Sequence, residues 1–345
     1  MTTMRRIATT AALAALALLA HPLALAAQQG QGKGRGQAVT FLSFLSRPKF
    51  VTMLVIGFVA LALLLTKKMR NSVKVPILLL STFLYGIAAN LGTKLFAGFS
   101  MHPSPICAAM KAMLYGFRIP MMVTLAVILV LTLVGPKLFC GWVCPVGAAQ
   151  ELIAMLADKL GIRRRKWNFR WTQGVRVGIL LLFVFLSGAA ILHTVAPNGQ
   201  KVALSLYDYI NAFHGFEIAL QPTFLDTVIH FLPFVLTLAF AFVTYRPFCY
   251  LVCPIGLLTN LVENFALFRV VLKRPACNEC GVCEKKAPCP TVPEILKDAA
   301  FRPDCFSCTV CTGGCCAQAS LEFGVGFTRD KKKAETPSAT PEAGQ

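Results

Sequence analysis

Charged side chains are scarce in this 345-residue sequence. Only 14% of its residues are Asp, Glu, Lys or Arg, whereas a soluble domain carries about a quarter. Acidic residues are rarer than basic ones, because the sequence has 15 Asp and Glu residues and 34 Lys and Arg residues. With 56% hydrophobic residues, the composition indicates a membrane protein. The basic residues lie in short runs beside apolar stretches, a pattern typical of membrane topology signals and not of nucleic-acid binding.

Recognisable enzyme motifs are also missing. No Ser/His/Asp grouping, phosphate-binding glycine loop or dinucleotide fingerprint stands out in the sequence. A self-contained hydrolase and a nicotinamide-dependent enzyme are therefore disfavoured.

Long apolar segments organise the chain. Residues 1–27 predict a signal peptide, with an uncleaved signal anchor as the alternative, and residues 28–49 predict an external linker. Residues 50–270 predict a membrane domain, because five segments approach the length that crosses a bilayer. These spans are Phe50–Thr66, Val75–Leu91, Pro120–Leu138, Val175–Val195 and Asp226–Tyr245. Residues 326–345 predict a disordered tail.

Basic residues cluster after the first, third and fifth spans. Lys67 and Lys74 belong to the first cluster, Arg164 and Lys166 to the second, and Lys273 to the third. By the positive-inside rule these regions are cytoplasmic. We therefore expect a multi-pass protein of a bacterial inner membrane whose C-terminal segment lies on the cytoplasmic side.

Two Cys-x-x-x-Cys-Pro motifs form a weak internal repeat, 109 residues apart. The first contains Cys140 and Cys144, and the second contains Cys249 and Cys253. If each motif is helical, its two thiols share one face. The four thiols are candidates for metal ligands, for a redox dithiol, or for small residues packed at a tight bend. Apolar residues at three- and four-residue spacing after each motif predict helices on the inner membrane surface.

The most specific pattern lies between Cys277 and Cys316. Two Cys-x2-Cys-x2-Cys runs begin at Cys277 and Cys305, with Cys289 between them and Cys315 four residues after the last cysteine of the second run. A triple run lets one loop hold three irons of a cubane, while the fourth thiolate comes from elsewhere in the chain. Zinc is the alternative, although zinc sites pair two Cys-x2-Cys knuckles. Residues 271–325 therefore predict a module with two 4Fe-4S clusters.

This module resembles the bacterial two-cluster ferredoxins, in which the remote ligands are exchanged between the clusters. The resemblance implies two ligand sets, which are Cys277, Cys280, Cys283 and Cys315 for one cluster, and Cys305, Cys308, Cys311 and Cys289 for the other. Cys316 stands where that family usually has proline, so Cys315 and Cys316 compete for one position.

Both Cys-x-x-x-Cys-Pro motifs, followed by such a module, resemble the membrane-bound quinol-dehydrogenase ferredoxins associated with periplasmic nitrate reductase. The membrane domain of the nitrous-oxide-reductase accessory protein is similar. The resemblance implies electron flow between a quinone pool, two 4Fe-4S clusters and a partner redox protein. The chain would then be the membrane subunit of a quinol dehydrogenase. The alternative is an accessory factor that feeds electrons to metal-centre assembly or senses redox state.

We therefore expect an all-α polytopic membrane protein with about five transmembrane helices and a small C-terminal α+β two-cluster ferredoxin-like module. His193 and His230 fall near the external ends of their spans. Imidazoles at such positions are candidate ligands of a quinone or a haem.

Overall fold

The computed structural model describes residues 41–101, 104–115, 118–162, 164–166, 168–191, 207, 211–220, 231–273, 277, 280–297, 302, 304–312 and 321–325. The predicted signal peptide and tail lie outside these residues. So do His193, His230, Cys315 and Cys316.

Helices dominate the described part of the chain. In order they are α1 (Phe41–Leu45), α2 (Pro48–Leu65), α3 (Asn71–Thr82), α4 (Pro105–Tyr115), α5 (Ile119–Val134), α6 (Pro145–Lys159), α7 (Phe169–Ile191), α8 (Ala212–Leu220), α9 (Leu232–Phe240), α10 (Pro247–Leu251), α11 (Pro254–Glu263), α12 (Val282–Lys286) and α13 (Thr291–Leu296). Helix α3 continues through a π-helical turn at Phe83–Ile87 and a 3₁₀ turn at Ala88–Asn90. Another π-helical turn covers Phe139–Val143, and Ala97–Phe99 forms a second 3₁₀ turn.

Three helical segments of the described chain are long and apolar enough to cross a membrane. They are Pro48–Leu65, Asn71–Asn90 and Phe169–Leu186, and they overlap the first, second and fourth predicted spans. The third predicted span contains α5, a shorter apolar helix. The fifth overlaps α9, of which nine residues are described. The chain is therefore a helical membrane protein, and the count of five spans stays a prediction.

Helices α6 and α11 each begin at the proline of a Cys-x-x-x-Cys-Pro motif, as expected for proline in the first turn of a helix. Both helices bury polar residues and expose leucines. Gln150 and Glu151 of α6 are buried, whereas Leu156 is 48% exposed. In α11, Glu263 is buried while Leu261 is 54% exposed. An apolar face turned away from the protein suits lipid, which supports the prediction of helices at the membrane surface.

The C-terminal module begins and ends with an antiparallel pair of strands, β1 (Phe268–Leu272) and β2 (Leu321–Val325). Helices α12 and α13 lie between these strands in the sequence. One hydrophobic core cluster extends from Phe44 in α1 to Phe323 in β2, so the module is packed onto the membrane helices.

The predicted basic regions lie beside this module. Lys67 forms an ion pair with Glu322 of β2, and Lys273 lies 2.6 Å from the same carboxylate. Lys166 donates to the backbone carbonyl of Glu284 in α12. These contacts bring residues from all three basic regions to the side of the protein that carries the module.

Candidate metal centre

The two Cys-x-x-x-Cys-Pro motifs adopt related but non-identical turns. Cys140 lies in the π-helical turn before α6, and Cys249 lies in the short helix α10. The second cysteine of each motif is the N-cap of the next helix, with φ −64° and ψ 120° at Cys144 and φ −68° and ψ 114° at Cys253. This extended conformation is the one that a following proline favours. The motifs are therefore not the continuous helical pairs that a shared face would require.

All four thiols nevertheless line the same small cavity. Each of these cysteines is buried, with between 5% and 9% of its surface exposed. The rest of the lining is apolar, and includes Pro105, Phe213, Ile255 and Phe306. The structure thus brings together two sequence segments that are 109 residues apart.

Hydrogen-bond donors face three of the four sulfur atoms. The backbone amide of Gly147 lies 3.5 Å from Cys144 Sγ, and Gln150 Nε2 lies 3.6 Å from Cys249 Sγ. Backbone amides of Ile255 and Gly256 also face Cys253. Such donors favour a thiolate, but burial dominates and raises the pKa of Cys253 to about 12. Metal binding at this site must therefore displace protons.

Two cations occupy equivalent positions in the repeat. Lys137 and Arg246 stand 109 residues apart, and both adopt the left-handed conformation, with φ of 47° and 48°. Each reaches across to the other copy. Arg246 Nη1 donates to the carbonyl of Cys140 at 2.8 Å, and Lys137 Nζ donates to the carbonyl of Gly256 at 2.6 Å. These reciprocal contacts lock the two motifs together.

Gly147 and Gly256 are also equivalent in the repeat, and both are sites of close approach. A Cβ atom on Gly147 would lie 2.2 Å from the carbonyl oxygen of Cys140. On Gly256 it would lie 2.7 Å from that of Cys249. Only glycine lets the helix start pack this closely against the preceding turn.

Two buried carboxylates accept from these cations. Asp304 pairs with Lys137, and its second oxygen lies 2.5 Å from Arg176 Nη2. Asp304 comes from the module, directly before Cys305, so this contact anchors the module to the membrane domain.

Glu151 is the second buried carboxylate. It lies 2.5 Å from Lys74 and 3.0 Å from Arg246, and Tyr245 donates to it at 2.7 Å. Burial alone would raise the pKa of Glu151, but Lys74 and Arg246 outweigh burial and hold the pKa at about 2. Glu263 is different, because burial raises its pKa well above the usual range.

The module cysteines fall into two groups. In the first group, Cys277 is half-buried, Cys280 is exposed and Cys283 is buried. Burial raises the pKa of Cys305 well above its usual range, and the nearby Glu263, Cys289 and Cys308 raise it further. Cys311 is buried. Cys289 thus lies near two cysteines of the second triple run, and its assignment as their cluster partner stays a prediction.

Backbone donors lie beside two of the module thiols. In the part of the chain that the structure describes, no three His, Cys, Asp or Glu side chains are arranged to hold one metal ion. Amide groups of Thr291 and Ser307 donate to Cys289 and Cys305, and donors of this kind are typical around cluster ligands.

Phe306 connects the module with the thiol cavity. It lies between Cys305 and Cys308 in sequence and lines the cavity. Its carbonyl oxygen approaches Gly141 so closely that a Cβ there would lie 2.4 Å away. The guanidinium of Arg246 lies 4.7 Å from the centre of its ring.

A polar pocket lies on the other side of Phe213. Phe213 lines both this pocket and the thiol cavity, while Asn90, Asn211, His214 and Glu217 supply polar groups to the pocket. His193 and His230 were predicted from the sequence as candidate ligands, whereas His214 was not. The sequence signal that could have indicated His214 is its spacing of three residues from Glu217, which places both side chains on one face of α8. In the structure, His214 Nδ1 lies 3.0 Å from Glu217 Oε2.

Comparisons with known proteins agree with this site. A family profile described as a 4Fe-4S binding domain matches residues 117–170 and 228–275. Each matched segment contains one Cys-x-x-x-Cys-Pro motif, and both end before Cys277. No solved structure matches this chain.

The curated relatives include ferredoxin-type proteins. The methylamine utilization ferredoxin-type protein MauN of Methylorubrum extorquens is 34% identical over 46% of this chain and 49% of its own length. The protein NirI of Paracoccus denitrificans is 29% identical over 60% of this chain, but the alignment covers only 30% of NirI. The ferredoxin-type protein NapH of Haemophilus influenzae is 27% identical over 58% of this chain and 67% of its own length. The chain thus spans about half of MauN and a third of NirI. With its membrane helices and paired cysteine motifs, the chain is similar to the NapH-like ferredoxin-type membrane proteins, and the matches support an iron–sulfur electron-transport protein.

Proposed function

We propose that this protein carries electrons between the membrane quinone pool and a partner redox protein through iron–sulfur clusters. The observation that carries the proposal is the position of the polar pocket, which shares the lining residue Phe213 with the thiol cavity. A site for a hydrogen-bonded organic redox carrier thus adjoins a site for metal ligands.

The lining of the polar pocket suits a quinone headgroup. A quinone has a flat apolar ring with oxygens at opposite ends, so its site needs apolar walls and separated polar partners. Phe213 and Phe216 supply aromatic walls, while Asn90, Asn211 and His214 supply polar side chains. Gly86, in the π-helical turn that continues α3, lies against Phe216, and π-helical turns are frequent at functional sites.

His214 and Glu217 are suited to handle protons. Oxidation of a quinol to a quinone releases two electrons and two protons, and the reverse reaction consumes them. The imidazole and the carboxylate lie within hydrogen-bonding distance of each other, and about a third or more of each side chain is exposed. They can therefore exchange protons between the pocket and water.

Electrons have a short packed route from this pocket to the module. Phe213 contacts both cavities, and Phe306 then joins the thiol cavity to Cys305 and Cys308. A bound 4Fe-4S cluster would supply the single-electron chemistry. We propose Cys277, Cys280, Cys283 and Cys315 as one ligand set, and Cys305, Cys308, Cys311 and Cys289 as the other. Because the three basic regions lie beside the module, the positive-inside rule favours a cytoplasmic location for it.

The test is reduction of the clusters by a quinol. The full chain, purified without oxygen and reconstituted in lipid nanodiscs, is mixed with a short-chain quinol while cluster absorbance is followed. We expect bleaching in the wild type and at least a tenfold slower rate in His214→Ala and Glu217→Gln.

Glu294→Gln is the matched control. Glu294 also forms an i,i+3 pair, with Lys297 at 3.7 Å, but lies on the module far from the pocket in sequence. We expect this variant to react at the wild-type rate. Clusters that reduce with dithionite but never with quinol would refute the quinone assignment. If such clusters donated electrons to the immature metal site of a partner, the accessory function would be favoured.

A further inference from the structure

A membrane-crossing helix connects the polar pocket with the C-terminal module. Helix α3, together with the turns that continue it, runs from Asn71 to Asn90 and is long enough to cross a membrane. Near its start, Lys74 donates to the carbonyl of Cys308 in the module at 2.9 Å. Further along, Tyr85 and Asn90 line the polar pocket. The module and the pocket therefore lie towards opposite ends of the same span.

Helix α2 runs in the other direction and gives the same arrangement. Near its start, Thr52 Oγ1 lies 2.6 Å from the hydroxyl oxygen of Tyr85, which lines the pocket. At its other end, Leu64 and the following Lys67 line a cavity together with Glu322 of β2, and Lys67 forms an ion pair with Glu322. Two separate spans thus place the pocket at one end and the module at the other.

The separation is a large part of the membrane thickness. At about 1.5 Å per residue, Tyr85 lies roughly 16 Å and Asn90 roughly 24 Å along the helix from Lys74. The hydrocarbon core of a bilayer is about 30 Å thick. An electron that passes from the pocket to the module therefore crosses about half of this thickness or more.

The route between the two ends suits electrons better than protons. Phe213 at the pocket and Phe306 of the module both line the thiol cavity. Among the described residues, the lining of this cavity includes no carboxylate, imidazole, hydroxyl or amide side chain. Proton relays in membrane proteins are built from Asp, Glu and His side chains. The guanidinium of Arg246, 4.7 Å from the centre of the Phe306 ring, also disfavours a hydrated proton at this point.

Proton-exchanging groups lie at the pocket end instead. His214 and Glu217 line the pocket, and their side chains are 33% and 42% exposed. Both belong to α8, which lies between the fourth and fifth predicted spans. Protons released in the pocket can therefore leave at this end of the spans, away from the module.

We propose that electron transfer through this protein is electrogenic, which means that it separates charge across the membrane. The inference rests on the quinone site proposed above and adds energy coupling to it. One quinol becomes one quinone, and its two protons leave at the pocket end. Its two electrons pass singly to two molecules of a one-electron partner at the module end. A membrane potential that is positive on the pocket side opposes this direction and drives the reverse reaction.

Proteoliposomes test the proposal. The full chain is reconstituted without oxygen into liposomes with a long-chain quinol in the bilayer and a pH-sensitive dye in the lumen. Ferricyanide, an acceptor that does not cross the bilayer, is added outside, so only chains whose modules face outward turn over. We expect about one proton in the lumen for each ferricyanide reduced, because the pocket of these chains faces the lumen. Liposomes without protein give the background rate.

The opposing potential provides a second measurement. With potassium on both sides, valinomycin should raise the rate of ferricyanide reduction about threefold or more, because it removes the potential that builds up against the electrons. Protons released outside, or a rate that valinomycin does not change, would overturn the electrogenic proposal and leave the quinone assignment intact. If ferricyanide is not reduced although dithionite bleaches the clusters, both proposals fail.

Two variants separate the chemistry of the pocket from its position. His214→Ala should slow ferricyanide reduction and lumenal acidification to the same extent, because the position of the pocket sets the side on which protons appear. Glu294→Gln is again the matched control, since Glu294 lies on α13 of the module. Both of its rates should equal those of the wild type. The wild-type ratio of protons to electrons decides the proposal even if His214→Ala does not accumulate.

Discussion

Replacing Glu151 with glutamine tests the buried charge network most directly. In the wild type, the pKa of Glu151 falls from 4.5 to about 2, because Lys74 and Arg246 outweigh burial. A difference of roughly 2.5 pKa units corresponds to about 3 kcal/mol of stability. Removing one partner from a buried ion pair costs a similar ~3–5 kcal/mol, since the remaining cations stay buried without a counter-charge. We therefore expect Glu151→Gln to lower the free energy of unfolding by about 3 kcal/mol at neutral pH.

Asp158→Asn is the control on the same helix. Asp158 forms an ion pair with Arg164, but its side chain is 54% exposed. Exposed pairs contribute about 0–1 kcal/mol. Denaturant unfolding in detergent micelles, followed by tryptophan fluorescence to which the buried Trp142 contributes, should therefore separate the two variants clearly.

The pH dependence has a defined direction. Because the folded-state pKa of Glu151 is lowered, its stabilisation is complete above its ordinary pKa of 4.5 and is lost as the pH falls towards about 2. The gap between wild type and Glu151→Gln should accordingly shrink below about pH 4.5. Equal losses for Glu151→Gln and Asp158→Asn, or a gap that stays constant down to about pH 3, would refute the reasoning.

Four further substitutions probe other contacts. Asp304→Asn should release the module from the membrane domain and cost about 3–5 kcal/mol, measured as faster cleavage of the module by limited proteolysis. Gly147→Ala should greatly reduce the yield of folded protein in detergent, because its Cβ would meet a backbone carbonyl at 2.2 Å. Gly174→Ala in α7, with nothing within 4 Å of the added Cβ, should be neutral or stabilise by up to ~1 kcal/mol in the same assay. Glu322→Gln should cost less than about 1 kcal/mol, and added salt should abolish this difference, since its lysine partners are exposed.

Local sequence signals predicted the framework of this protein well. Proline marks the starts of α6 and α11, and hydropathy found the three long membrane helices that the structure describes. These features depend on neighbours in sequence. The repeat also indicated that the four thiols would converge, although it did not give the π-helical turn at Cys140.

Contacts between distant segments could not be predicted in the same way. The basic run that contains Lys74 indicated membrane topology, whereas the structure buries Lys74 between Glu151 and the carbonyl of Cys308. The spacing of apolar residues in α6 predicted a helix. It did not predict which face of that helix packs against the rest of the protein. Glu151 faces the protein because cations from remote parts of the chain surround it. The role of His214 likewise depends on the packing of α8 against the turns that follow α3.

The reciprocal contacts of Lys137 and Arg246 have a consequence for biosynthesis. The first motif accepts a hydrogen bond from Arg246, which is synthesised about a hundred residues later. Lys137 and Arg176 both pair with Asp304, near the end of the chain. A nascent chain that has inserted only its first spans lacks Arg246 and Asp304, so the first half of the repeat cannot form these contacts alone. The thiol cavity can therefore close only when translation is almost complete.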